Sequence, residues 1–287
     1  MLLAHDIVAS RAEPEPVENQ RWMLFLHGIL GRRTNWRSFS RRWVKARPGW
    51  GAVLVDLRGH GDSQGLPGPH TVAAAAGDLV ELAGGLAGGR VAGVLGHSLG
   101  GKVAIAAAEQ LRAAGSPLDE LWIIDAPPGP RTQPRDRTTD RVFELLSQLP
   151  DDFASRAEFV DLLMRAGIAK GVSQWLATNL IQTDLNQTDG GRWRFALDLD
   201  DLQALLRDFS TIDLWPIVEA EADAGTRIGL VLGERSEAVF GEQLERAQTL
   251  ADAGRLVIET IEGAGHWVHV DNPNALLATL EHPPGGA

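Results

Sequence analysis

Val91-Ala92-Gly93-Val94-Leu95-Gly96-His97-Ser98-Leu99-Gly100-Gly101-Lys102 is the stretch on which the fold turns. Residues 91–95 are an apolar run of strand length, and residues 99–114 carry a helical pattern. Between them, Gly96 to Gly100 spell the pentapeptide G-x-S-x-G. With 32 glycines and 11 serines in 287 residues, chance gives this pattern to about one such chain in seven. Context therefore has to carry the argument. A strand-to-helix elbow forces its serine into strained backbone geometry and lifts Oγ clear of the sheet. The flanking glycines let strand and helix approach closely.

The same rhythm extends outward. Residues 22–27, 52–56, 91–95 and 121–125 read as buried strands, and residues 35–46, 71–86 and 99–114 as helices. Continuous apolar strands suit a mostly parallel sheet covered on both faces. Strand and helix in alternation predict a doubly wound α/β sheet with right-handed crossovers. The rhythm breaks between residues 127 and 221. There 138–149, 155–166, 172–181 and 199–209 read as amphipathic helices, and no strand stands out. It resumes with a strand at 227–233, a helix at 241–253, a strand at 255–260 and a last helix from 272. The expected architecture is an α/β core of residues 1–126 and 222–287 with an inserted helical cap, 127–221. A Pro-rich turn, Glu13-Pro14-Glu15-Pro16, and a Pro/Gly tail at 282–287 flank the pattern.

Composition bounds the function. The charge sum is 27 − 38 = −11, which repels a phosphate backbone, so no nucleic-acid partner is expected. With no cysteine there is no disulfide framework, thiolate nucleophile, Cys-ligated zinc or iron–sulfur cluster. With no tyrosine, no phenol serves as acid or base. No apolar run approaches the roughly 18 residues of a membrane span. The first residues lack a basic n-region and a long apolar core, so no secretory signal is read and a cytoplasmic location is expected.

Ligands of open α/β sheets sit beyond the carboxyl ends of the strands. At those ends lie His27-Gly28, Asp56, Gly96-His97-Ser98, Asp125, Gly233-Glu234-Arg235-Ser236-Glu237 and Gly265-His266. A serine nucleophile needs a base within hydrogen-bond reach, and the base needs an acid to orient it. Eight histidines compete for that role. His5 and His282 lie near the ends, and His70 begins a helix. His27 and His60 sit in His-Gly turns. His97 neighbours Ser98, but adjacent side chains on an elbow diverge. His266 remains, just after the last strand. His269 beside it raises a metal pair that lacks clear further ligands. Residues 96–102 also come close to a P-loop, but Val103 stands where a hydroxyl must hold Mg²⁺.

Taken together these residues resemble the α/β-hydrolase superfamily. His27-Gly28-Ile29-Leu30-Gly31 looks like its oxyanion loop. Asp56-Leu57-Arg58-Gly59-His60-Gly61-Asp62-Ser63 looks like its D-x-R-G-x-G-x-S turn. Gly96 to Gly100 match the elbow, and Gly265-His266 the histidine turn. Thr34-Asn35-Trp36, Gly100-Gly101-Lys102 and His266-Trp267-Val268-His269 are similar to small bacterial acyl esterases and their abhydrolase-domain-eleven relatives. The resemblance implies a hydrolase with Ser98 as nucleophile, His266 as base, a helical cap and no cofactor. The acid departs from the superfamily pattern, because Ser236 stands where Asp is expected. Asp125 and Glu237 both keep the order serine, acid, histidine. The likeness to the bacterial esterases favours Asp125, and Asp198 in the insertion is a third choice.

The implied chemistry is acyl transfer from an ester or thioester to water, with the backbone N–H groups of Ile29 and Leu99 as the oxyanion hole. The expected substrate is therefore a small acyl ester or thioester. Phe143, Leu146, Leu163, Trp175, Phe195 and Trp267 are candidates for its apolar pocket, and each could instead pack cap on sheet. Arg21, Arg32, Arg33, Arg37, Arg41, Arg42, Lys45 and Arg47 form one basic island. Arg131, Arg135, Arg137 and Arg141 form another. They suit either an anionic acyl carrier such as coenzyme A or solvated helix faces. A non-hydrolytic ligand-binding or interaction protein, or a cofactor-free haloperoxidase, competes on the same fold. Oligomeric state has no signature in the sequence.

Overall fold

The computed structural model describes residues 2–9, 20–86, 89–131, 138–183 and 191–286. The turn at 13–16 and Arg135 and Arg137 lie outside the described residues. Among the described residues the strands are β1 (His5–Val8), β2 (Gln20–Leu26), β3 (Trp50–Val55), β4 (Gly89–His97), β5 (Glu120–Ile124), β6 (Leu180–Thr183), β7 (Arg192–Phe195), β8 (Arg227–Gly233) and β9 (Val257–Ile261). Seven of them form one sheet in the order β1-β3-β2-β4-β5-β8-β9. Every pair in it is parallel except β1 with β3. From β2 the chain goes to one side for β3 and then crosses to the other side for β4. The strand order thus reverses beside β2, and the crevice at its carboxyl end is where such sheets bind ligands.

The apolar runs account for this sheet. β3 and β5 are buried at every residue, which only a sheet covered on both faces permits. Helices Val72–Gly85, Leu99–Ala113, Trp215–Asp223 and Glu242–Asp252 pack into one apolar cluster with the sheet. Helices Arg37–Ala46 and Pro273–Leu280 pack into the cluster on Trp36, Trp43, Trp50 and Trp122. No helix among the described residues is long and apolar enough to cross a membrane.

The insertion has its own apolar cluster, built on Phe143, Phe153, Phe159, Leu163 and Leu176. It differs from the all-helical expectation at one place. The stretch 172–181 is helical only as far as Leu176, within Lys170–Leu176, and β6 then pairs antiparallel with β7. A second difference lies at its end. The helix Trp215–Asp223 buries Trp215 and Val218 in the sheet's cluster, so residue 221 falls inside a core helix rather than at a boundary.

The elbow depends on missing side chains. A Cβ at Gly96 would lie 1.9 Å from the Gly100 carbonyl oxygen, and one at Gly100 would lie 2.6 Å from that of His27. Backbone cannot yield as a flexible side chain can. Gly96→Ala is therefore expected to cost about 3 kcal/mol or more, the upper end for overpacking. Gly84→Ala, on the exposed end of helix Val72–Gly85 with nothing within 4 Å, is expected to gain about 0.5–1 kcal/mol. Urea unfolding of both variants checks the contrast, and equal effects would remove the steric argument.

Candidate active site

Among the described residues, Leu30, Ser98 and Asp125 are the non-glycine residues with positive φ, at 60°, 53° and 50°. All three follow the carboxyl ends of sheet strands: β2, β4 and β5. Side chains rarely adopt this backbone, and such strain clusters at functional sites. Ser98 begins helix Leu99–Ala113, but its hydroxyl does not cap that helix. Its N–H donates to the Ile124 carbonyl at 2.9 Å, and the Asp125 N–H donates to that of Val231 at 2.7 Å. The sheet ladder therefore holds both residues as they turn out of it.

Asp125 is 1% exposed, and a buried carboxylate needs partners. It has three. His266 Nδ1 lies 2.6 Å from Oδ2, the Gly233 N–H donates to Oδ1 at 3.1 Å, and the Ser236 hydroxyl donates to Oδ2. A carboxylate only accepts, so the Nδ1 of a neutral His266 carries the proton and Nε2 is left with its lone pair. Ser236, at the position where the resemblance expects an acid, thus donates to a carboxylate that follows a different strand. Glu237 is exposed at the cavity rim, and Asp198 caps helix Leu199–Thr211. Of the three candidate acids, Asp125 is the one that meets His266 Nδ1.

Ser98, Asp125, Ser236, Glu237 and His266 border one cavity of about 400 Å³ together with Ile29 and Leu99. Buried histidines support its floor. His27 Nε2 accepts from the Leu57 N–H at 3.1 Å, while Nδ1 donates to the Gly28 carbonyl at 2.7 Å. His60 Nε2 accepts from the Leu30 N–H at 3.1 Å, and Nδ1 donates to Arg58 at 3.0 Å. Each ring thus joins the oxyanion-type loop to the Asp56 turn, and each must be neutral to do so. Burial pushes His27 down to about 4. Burial, helped by His27, pushes His60 down to about 3. His97 diverges from Ser98, and its Nε2 donates to the His266 carbonyl at 2.8 Å. Burial first, then the nearby His266 and His269, holds its pKa well below the ordinary range. His269 packs between Trp36 and His97. Among the described residues no group of three or more His, Asp or Glu gathers as it would for a metal ion.

A family model described as alpha/beta hydrolase matches residues 23–280. The chain belongs to the alpha/beta hydrolase family. It is 30% identical over 262 residues to the sn-1-specific diacylglycerol lipase ABHD11 of Mus musculus, covering 89% of this chain and 78% of that one. It is 26% identical over 265 residues to esterase YbfF of Escherichia coli K12, covering 91% and 92%. Among solved structures, a marine microorganism esterase superposes with a TM-score of 0.75 at 21% identity, covering 97% of each chain.

The pocket of this hydrolase is not lined as the sequence suggested. None of the six expected aromatic and aliphatic residues borders the cavity with Ser98. Phe143, Leu146 and Leu163 are buried inside the insertion's own cluster. Phe195 stacks on Phe159 at 5.7 Å, and Trp175 meets Trp267 at 5.6 Å. The apolar walls are Ile29, Leu206, Phe209 and Ala238, with Arg131, Thr139 and Arg235 also on the lining. Helix Leu199–Thr211 buries Leu202, Leu205 and Phe209, and Leu206 beside them was the available signal. Among the described residues, half of the first basic island is ion-paired. Arg33 pairs with Asp6, Asp56 and Asp62, Arg37 with Asp6, and Arg47 with buried Glu120. Arg131 of the second island does reach the cavity.

The neutral histidines make the fold acid-sensitive. His27 and His60 bind protons more weakly folded than unfolded, so their contribution is present above their ordinary pKa of about 6.5 and lost below it. Each is expected to withdraw about 1.4 kcal/mol per pH unit as the pH falls from 6.5 towards 4. Urea midpoints at pH 7.5, 6 and 5 measure this. His60→Gln should flatten the slope by about one proton, and an unchanged slope would mean that His60 is not held neutral.

Proposed function

We propose that the chain is a serine hydrolase of carboxylic esters, acting through an acyl-enzyme formed on Ser98. The observation that carries this reading is the 2.6 Å contact between His266 Nδ1 and the buried carboxylate of Asp125, in the cavity that Ser98 also borders. In the proposed first step Ser98 Oγ attacks the ester carbonyl while His266 Nε2 takes its proton. The tetrahedral oxyanion accepts hydrogen bonds from the Ile29 and Leu99 backbone N–H groups. His266 returns the proton to the leaving alcohol as the C–O bond breaks. Water then attacks the acyl-Ser98 ester by the same route and releases the acid. Asp125 keeps the imidazole in the correct tautomer and stabilises the imidazolium. A thioester would follow the same steps with a thiol as leaving group.

The insertion is proposed as the cap over this site. The part from 127 to about 211 is the proposed covering element: helix Leu199–Thr211 packs into both its cluster and the sheet's, and the helix from Trp215 into the sheet's alone.

Hydrolysis of p-nitrophenyl esters from acetate to palmitate tests the reading. Ser98→Ala is expected to lose about a thousandfold or more in kcat. A fluorophosphonate probe should label the wild type and not the variant. If the wild type is inert on every ester and unlabelled, the ligand-binding reading replaces this one.

The acid assignment has its own test. Asp125→Asn is expected to lower kcat by up to about 10⁴-fold, the cost of the wrong tautomer. Glu237→Gln should stay within about threefold of wild type, and Ser236→Ala should fall between. The reverse order between Asp125 and Glu237 would overturn the assignment.

A further inference from the structure

The lysine that gave the elbow its likeness to a P-loop takes no part in the proposed reaction, yet it is fully buried. Lys102 lies four residues past Ser98, in helix Leu99–Ala113. Its Nζ donates to the carbonyls of Gly129 at 2.8 Å, Phe209 at 2.7 Å and Ile212 at 3.1 Å. An ammonium has three N–H donors, and here each meets one backbone acceptor. The Phe209 ring lies 4.8 Å from the same nitrogen.

These carbonyls belong to the two ends of the insertion. Gly129 lies where the chain leaves the sheet after β5, and Phe209 and Ile212 lie where it returns. The two ends also pair directly. The Leu214 N–H donates to Pro128 at 3.0 Å, and the Arg131 N–H donates to Ser210 at 2.9 Å. Lys102 therefore sits in a neck through which the insertion joins the core. One of its acceptors is on Phe209, which with Leu206 forms an apolar wall of the cavity.

A buried ammonium is costly to desolvate, and a methionine would fill similar space without that cost. Packing alone therefore does not account for a lysine. The geometry points to Lys102 as the positioning residue of the acyl wall: it ties both ends of the insertion to the helix that carries Ser98, and so holds Leu206 and Phe209 where an acyl chain must lie. The proposal rests on the ester-hydrolase reading. It assigns Lys102 to substrate fit rather than to the chemical step. Burial first, and then Arg131, lowers its pKa to about 7 against the opposing pull of Asp213 and Asp208.

The test separates a short ester, which needs only the reacting groups, from a longer one, which needs the wall. For Lys102→Met, KM for p-nitrophenyl octanoate is expected to rise about tenfold, while kcat for the acetate stays within about threefold. Lys102→Gln keeps two N–H donors and should recover part of the loss. A folded Met variant with unchanged KM, or one that loses kcat equally on both esters, overturns the proposal.

If neither variant folds, hydrogen exchange of the wild type between pH 6 and 9 decides, after correction for intrinsic rates. Loss of the Lys102 proton leaves two donors for three carbonyls. The amides of Gly129, Arg131 and residues 206–214 should then lose protection together, about tenfold more than the rest of the insertion. Constant protection, or loss at one end alone, overturns the proposal. A wild type inert on both esters would instead sink the hydrolase reading, and the exchange experiment would still judge the neck.

Discussion

Everything at the site follows from how abruptly helix Leu99–Ala113 leaves β4. The helix can begin at once only if Gly96 and Gly100 have no side chains and Ser98 takes left-handed backbone. That strain would relax if the neighbouring segments could move. They cannot, because Ser98 is hydrogen-bonded to β5 and the His27 loop presses on Gly100. The turn is thus over-determined by the sheet on both sides, which is the condition under which strained backbone persists.

The supporting layer is polar and buried, which is costly unless every group is matched. His27 and His60 achieve this as neutral rings, each accepting with one nitrogen and donating with the other. Asp56 accepts from the Arg33 and Asp62 N–H groups and pairs with the Arg33 guanidinium. A Cβ on Gly61 would collide with its carboxylate. The histidines and glycines of these loops are thus one framework that fixes the backbone beside Ser98.

Much of this was legible in the residues. Apolar runs of strand length marked β2, β3, β4 and β5, because a strand covered on both faces favours apolar residues at successive positions. Ser98 stood out because its glycine neighbours mark an elbow, and His266 because the other histidines had other places in the pattern. The sequence favoured Asp125 but left Glu237 open as the acid, since both keep the order serine, acid, histidine. Only the folded chain brings Asp125 to His266 Nδ1 and turns Ser236 towards it. The partners of Arg33 and Arg37 in the basic island were not legible, because Asp6, Asp56 and Asp62 spread over more than fifty residues. The aromatic residues of the insertion pack on one another, as Phe159 and Phe195 do. The hairpin left a readable trace: Arg192-Trp193-Arg194-Phe195 alternates strictly, but four residues are too few to outweigh a helical neighbourhood.

His97 pairs with Ile124 in the register of β4 and β5, so Ser98 and Asp125 are the next residues of two neighbouring parallel strands. Both turn with almost the same φ. Their separation is therefore set by the spacing of strands in a sheet, about 4.8 Å, and not by the course of any loop. An acid carried on the loop after β8 would instead move whenever that loop moved. Here the segment 234–238 lends a hydroxyl and a rim, and is otherwise released from the geometry of the reacting groups. Apart from the Ser236 hydroxyl, that leaves it as the part of the site most open to change in sequence, by evolution or by design.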